Sequence, residues 1–257
     1  MSNLALRIIT GIFLVIILVG STLQGGILLF SLILFLSVVG VYEFYKIMAK
    51  LDYKPNLPLG IIFAIILVLV NYLGYNRYEG NVIILFSTIL MFIMTFKEKL
   101  DINTVFLQVF TLVYIPLSFS RILLLSESKL VWLVYICAWG TDTFAYIAGS
   151  LFGKHKLAEK VSPKKTIEGS IGGILGAVIL TLIFAYFMKL DNYIILVLGA
   201  IIGSIMAQLG DLCASKFKRL SGSKDFGYVF LGHGGVLDRF DSVLFTAPYI
   251  YLIFLMS

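Results

Sequence analysis

The chain has 257 residues, of which 60% are hydrophobic and 13% charged, with a formal net charge of +6 and a mean hydropathy of +1.02. Soluble domains are roughly half apolar, so this composition excludes a water-soluble globular fold and places the chain in lipid. The basic surplus could suggest nucleic acid, but the bases cluster between apolar runs, where membrane topology and phosphate chemistry account for them, and no nucleic-acid partner is expected.

A helix needs about twenty apolar residues to cross a bilayer. That measure predicts an all-α, polytopic membrane bundle of about nine transmembrane helices, near 4–20, 26–46, 58–75, 81–96, 103–125, 130–150, 168–188, 193–214 and 238–256. Arg7 precedes the first apolar run as in a secretory signal, but no small-residue cleavage site follows, so the run reads as a retained span. Residues 1–125 read as a lipid-facing scaffold and 126–257 as the catalytic region of one integral membrane unit. Cys137 and Cys213 have no metal-ligand spacing and read as small core residues.

Lys and Arg of short loops accumulate on the cytoplasmic side. The even-numbered loops hold Lys46, Lys50 and Lys54, then Lys97 and Lys99, then Lys154, Lys156, Lys160, Lys164 and Lys165, then Lys216, Lys218, Arg219 and Lys224; the odd-numbered loops hold Arg77, Lys129 and Lys189. The bias puts the N-terminus inside and the C-terminus outside. It predicts a multi-pass protein of the cytoplasmic (inner) membrane with its active site on the cytoplasmic face.

Within the spans, Arg121 follows Pro116 in the fifth run and reads as a structural, snorkelling cation. Asp142 lies in the sixth span, where a carboxylate is costly without a partner, and a metal or substrate contact is preferred for it over a structural ion pair. Ser162 before Pro163 reads as a helix N-cap that would present free N–H groups beside Lys164 and Lys165 to a phosphate. Gly169, Gly172, Gly173 and Gly176 repeat at the spacing of close helix packing.

The stretch from Gln208 to Ser242 concentrates the chemistry: Asp211, Asp225, Asp238 and Asp241 beside Lys216, Lys218, Arg219, Lys224 and Arg239, with His233 among Gly232, Gly234 and Gly235. Carboxylates among cations are the parts that hold a polyphosphate through divalent metal and neutralise charge during phosphoryl transfer. Asp211 closes the eighth span, and Asp238 and Asp241 open the ninth at i, i+3 on one helical face. If the two helix ends are neighbours, Asp211 and Asp238 share a divalent ion. Magnesium suits few carboxylates and phosphate oxygens, with more than one ion left open. Lys218, Arg219, Lys224 and Arg239 read as a phosphate clamp, and His233 as a phosphate- or nucleotide-positioning group.

The run Ser215, Phe217, Lys218, Arg219, Lys224-Asp225, His233-Gly234-Gly235, Asp238-Arg239 and Asp241 resembles the signature of the phosphatidate cytidylyltransferase, or CDP-diacylglycerol synthase, family. Trp139 to Gly173 is similar to an upstream region of that family, while the first hundred residues match by hydropathy alone. Ala214 and Leu231 depart from it, standing where the family usually has Glu and often has Pro. The resemblance implies transfer of CMP from CTP to phosphatidic acid, releasing pyrophosphate and giving CDP-diacylglycerol for phospholipid synthesis. It implies catalytic roles for Asp211, Asp238, Lys218, Arg219, Lys224 and Arg239 and substrate contacts from Ser162, Lys164, Lys165, Asp225, His233, Gly234 and Gly235. The metal would be held by Asp211, Asp238, Asp142 and Asp241. CTP, phosphatidic acid and membrane lipids are the expected partners, and pairing of protomers is left open.

No G-x-x-x-x-G-K-[ST] loop or G-x-S-x-G elbow occurs, which argues against an ATPase or serine hydrolase. A polyprenol- or archaeol-type CTP-dependent transferase or kinase is the alternative enzyme. A secondary transporter would carry ionisable groups at mid-membrane in both halves, whereas here the acids gather at helix ends.

Overall fold

A computed structural model of the chain describes residues 3–96, 101–230 and 234–256, with side chains from residue 10 onward. The described residues form a polytopic helical membrane protein. Its helices are α1 (Asn3–Gln24), α2 (Gly26–Met48), α3 (Leu57–Tyr72), α4 (Glu79–Phe96), α5 (Ile102–Leu125), α6 (Val131–Phe152), α7 (Ile167–Met188), α8 (Tyr193–Leu220) and α9 (Leu237–Met256). One short antiparallel hairpin, β1 (Lys156–Ala158) and β2 (Ser162–Thr166), lies between α6 and α7. Among the described residues seven helices are long and apolar enough to cross a bilayer by length and composition; Thr10–Gln24 of α1 and all of α3 form shorter apolar helices.

Local chemistry sets the helix ends. Gly25 and Gly26 take positive φ of 64° and 52°, which is cheap only without a Cβ and turns the chain from α1 into α2. The Asn56 side chain caps α3 by accepting from Leu59 N at 3.2 Å, and Asp101 caps α5 by accepting from Thr104 N at 2.9 Å. Two helices carry π turns, Val113–Leu117 in α5 around Pro116 and Ile136–Gly140 in α6 just before Asp142. Each widens the helix locally and shifts the face presented by the residues after it.

The structure moves two expected boundaries. Helix α8 does not end near 214 but runs to Leu220, so Ser215, Lys216, Lys218 and Arg219 stand on helix, like Asp211, rather than in a loop. Ser162-Pro163 does not start a helix either. A residue before proline is driven to extended backbone, and Ser162 pairs with Ala158 at the foot of β2. The cap of α7 is Thr166, whose Oγ1 accepts from Gly169 N at 3.1 Å, while Ile167 N donates to His155 O at 2.9 Å. Those N–H groups are already satisfied, and the helix-end phosphate cradle expected at Ser162 is not there.

The residues group into two compact units, one of Met1–Ser126 with Leu220–Arg239 and one of Glu127–Arg219 with Phe240–Ser257. In the first, Phe44, Phe86, Phe119, Ile33 and Leu112 are fully buried, and Phe63 packs on Phe86 at 4.9 Å between ring centroids. Arg121 meets Glu79 at 2.5 Å, so its role here is an ion pair with a carboxylate at the start of α4. In the second unit the glycine stripe of α7 lies against the C-terminal half of α6. A Cβ on Gly172 would sit 2.2 Å from Ala148 Cβ, and one on Gly176 2.1 Å from Phe144 Cγ. Large apolar side chains face outward, Phe92 at 66% and Ile194 at 77% exposure, a surface that only lipid covers at low cost.

Candidate active site

In the second unit the acids come from three helices. Asp142 stands two residues past the π turn of α6, Asp211 about two turns before the end of α8, and Asp241 in the first turns of α9. Gly210 lets α8 and α9 approach: a Cβ there would meet Asp241 O at 2.6 Å and Phe245 Cβ at 3.1 Å. That contact sets Asp211 beside the backbone of Asp241. Asp241 is 9% exposed, and Asp211, Lys218 and Asp142 are all near enough to act on it electrostatically. Asp142 in turn senses Asp211 and Lys165.

Lys165, on β2, forms an ion pair with Asp211 through Oδ2, and Ser215 Oγ reaches Asp211 Oδ1 at 3.4 Å. The hairpin is held over the helices by Glu168, which accepts from Lys154 N at 3.0 Å and meets His155 Nδ1 at 2.6 Å. Below it lies a cleft of about 370 Å³ whose walls include Asp142, Tyr146, Lys164, Lys165, Thr166 and Gln208. Lys164 is exposed, Ser162 is half-buried in β2, and Arg219 is exposed at the end of α8. The cleft thus carries Lys164 and Lys165 from the hairpin and Asp142 from α6.

Oxygen donors of this kind suit a hard divalent cation. Three carboxylates against two nearby lysines leave a negative surplus that a cation would relieve and that would repel a nucleotide unaided. Among the described residues, no three His, Cys, Asp or Glu groups stand close enough together to form a metal shell. Asp211 is instead paired with Lys165.

The first unit contains the rest of the motif. Asp238 Oδ2 accepts from Phe226 N at 2.8 Å and from Gly235 N at 2.9 Å, which ties both residues to the start of α9. Gly234 takes φ +82°, and a Cβ there would lie 2.8 Å from Asp238 Oδ2. Gly235 and Gly227 leave room for a carboxylate: a Cβ would fall 2.3 and 2.2 Å from Glu43 Oε1. At Gly234 and Gly235, where the sequence suggests a phosphate contact, the backbone also packs too closely on Asp238 and Glu43 for a side chain. Lys224 is exposed, Asp225 half-buried, and Arg239 exposed. His233 and Leu231 lie outside the described residues.

Glu43, in the middle of an apolar run on α2, was not singled out from sequence. It is 1% exposed, and its Oε1 and Oε2 accept from Val236 N and Leu237 N, both at 3.0 Å. These are among the first N–H groups of α9, which have no partner within their own helix. A lone acid in a membrane span signals a buried task, but nothing local names a partner 193 residues away. Glu79 and Gln208 were passed over for the same reason.

Residues 5–257 match the model of the cytidylyltransferase family. The chain belongs to the cytidylyltransferase family. Among similar proteins is the phosphatidate cytidylyltransferase of Staphylococcus haemolyticus, 33% identical over 254 residues covering 96% of this chain and 97% of the relative. Those of Staphylococcus epidermidis and Staphylococcus aureus are each 31% identical, with 98% of this chain and 99% of the relative covered. Such matches span both units, so this cytidylyltransferase shares with its relatives the first hundred residues as well as the motif-bearing half. It is a nucleotidyltransferase held in the membrane.

Proposed function

We propose that this cytidylyltransferase transfers CMP from CTP to phosphatidic acid, forming CDP-diacylglycerol and pyrophosphate. A lipid phosphate oxygen attacks the α-phosphorus of CTP; the new P–O bond forms as the bond to the β,γ-pyrophosphate breaks, and pyrophosphate leaves with that electron pair. Both reactants are anions, so the protein's task is alignment and charge neutralisation rather than supply of a nucleophile. The observation that carries the reading is the convergence of Asp142, Asp211 and Asp241 from three helices around Lys165 and Lys218.

In this reading Asp142, Asp211 and Asp241 are the residues that would supply oxygen ligands to Mg²⁺ once drawn together by the bound nucleotide, and the cation would supply screening of the phosphate charges. Lys164, Lys165, Lys218 and Arg219 receive the nucleotide phosphates, and Lys165 exchanges Asp211 for phosphate as CTP enters. Asp238 acts by shaping the segment that carries Lys224 and Asp225. The clustering of lysines in alternate loops supports a site on the cytoplasmic face of the cell membrane, where CTP is found.

The test is purified protein in mixed micelles with phosphatidic acid and CTP labelled on either the α- or the γ-phosphate. Label from the α position should enter the lipid and γ label should leave as pyrophosphate. Entry of γ label would indicate a lipid kinase and overturn the proposal.

A further inference from the structure

A second cavity lies wholly within the first unit, about 190 Å³ in volume, where the end of α2 faces the segment after α8. Lys46, Lys50, Ser223, Lys224, Asp225 and Tyr228 line it. Lys50 Nζ donates to Ser223 Oγ at 2.8 Å, closing one side, and Ser223 is 9% exposed. Among the described residues, none of the three lysines is within ion-pair distance of a carboxylate. Glu43 acts on Lys46 from farther off, but its two oxygens are taken by Val236 and Leu237. The lining therefore carries three positive charges and one negative, in a pocket of the size of a phosphate group and its first waters.

We propose that Lys46, Lys50 and Lys224 with Ser223 form a receptor for the phosphate monoester of the lipid substrate. The inference rests on the reaction proposed above and assigns to it a lipid-headgroup site. Two features favour a lipid source over the nucleotide. The apolar run of α2 ends at Met48, so Lys46 and Lys50 lie at the rim of a span, the depth at which lipid phosphates sit. Tyr42, Tyr45 and Tyr53 line the adjoining cavity that shares Lys46, and tyrosines of this kind mark the membrane–water boundary. The charge balance also selects. A phosphate monoester carries about −1.5 to −2 near neutral pH, which two surplus cations match, whereas the bulk phospholipid diesters carry one negative charge and lack the third oxygen that a three-lysine ring would hold.

Two measurements test this. The first is steady-state kinetics at varied mole fraction of phosphatidic acid in mixed micelles, comparing the wild type with Lys50→Gln, Lys46→Gln and Lys50→Arg. Loss of one charge-assisted contact should raise KM for phosphatidic acid about tenfold, leave KM for CTP and kcat within about twofold, and be largely restored by Lys50→Arg. A rise in KM for CTP instead would assign the pocket to the nucleotide. Equal falls in kcat for all three variants would reduce Lys50 to a support of the loop. The second is binding of short-chain phosphatidic acid against its methyl phosphodiester in detergent, without CTP. Wild type should prefer the monoester and Lys46→Gln/Lys50→Gln should lose that preference; no preference in wild type overturns the proposal. A wild type inactive with phosphatidic acid would sink the reaction proposed above, whereas an active one with an unmoved Lys50→Gln sinks this site alone.

Discussion

Glu43 offers the sharpest perturbation. Its carboxylate accepts two buried backbone N–H groups, Val236 N and Leu237 N, each at 3.0 Å. Glu43→Gln keeps the volume but turns one acceptor into a donor facing a donor. One charge-assisted bond is lost and a buried N–H is stranded, a cost of roughly 2 kcal/mol, to be set against the order of the segment 234–237 rather than the whole membrane domain. At 1.4 kcal/mol per factor of ten, that is about a thirtyfold shift toward the open segment. Hydrogen exchange in detergent should show protection of the Val236 and Leu237 amides falling by about that factor, while amides in the middle of α2 and α7 keep theirs. Cytidylyl transfer should fall with it, because Asp238 and Gly235 hang on the same turn. Unchanged protection together with full activity would refute the idea that a carboxylate in the second span holds the motif loop in place.

Further outcomes follow from the same coordinates. Asp211→Asn should lower kcat by at least about a hundredfold, yet shift the melting temperature little, since the ion pair it breaks with Lys165 is about a quarter exposed on each side and such pairs contribute about 1 kcal/mol or less; wild-type turnover would remove Asp211 from the site. Chelation by EDTA should abolish transfer and Mg²⁺ restore it, with Ca²⁺ restoring less because its longer, looser coordination suits phosphoryl transfer poorly; full activity in EDTA would remove the cation from the reaction. Gly176→Ala forces Phe144 aside and should destabilise by about 1–3 kcal/mol, while Gly20→Ala, with open space around it, should be neutral by thermal melting. Arg121→Gln leaves Glu79 unpaired in a mostly buried setting, 14% exposed, and should cost about 3 kcal/mol; Arg121→Gln combined with Glu79→Gln should recover much of it, and no recovery would show that the two side chains act separately.

The amino-acid sequence by itself determined where the apolar helices lie, seven of those described long enough to cross a membrane, the close packing of α7 through Gly172 and Gly176, and the gathering of acids and bases between Gln208 and Ser242. These depend on hydropathy and on spacings of three or four residues, which a linear chain displays directly. Most helix ends were legible to within about a turn, but α8 runs six residues past its expected end because its last turns are polar and hydropathy alone does not register them, and elsewhere a competing local choice decided the boundary. Ser162 before Pro163 carries a cap signal and a pre-proline bias at once, and extended backbone won because β1 was there to pair with it. Only the tertiary structure decided which charges meet: Lys165 with Asp211, Arg121 with Glu79, Glu43 with the first N–H groups of α9. A carboxylate buried in lipid must find a partner, but the energy that selects the partner is the same at any sequence separation. The sequence announces that the debt exists, and packing alone settles with whom.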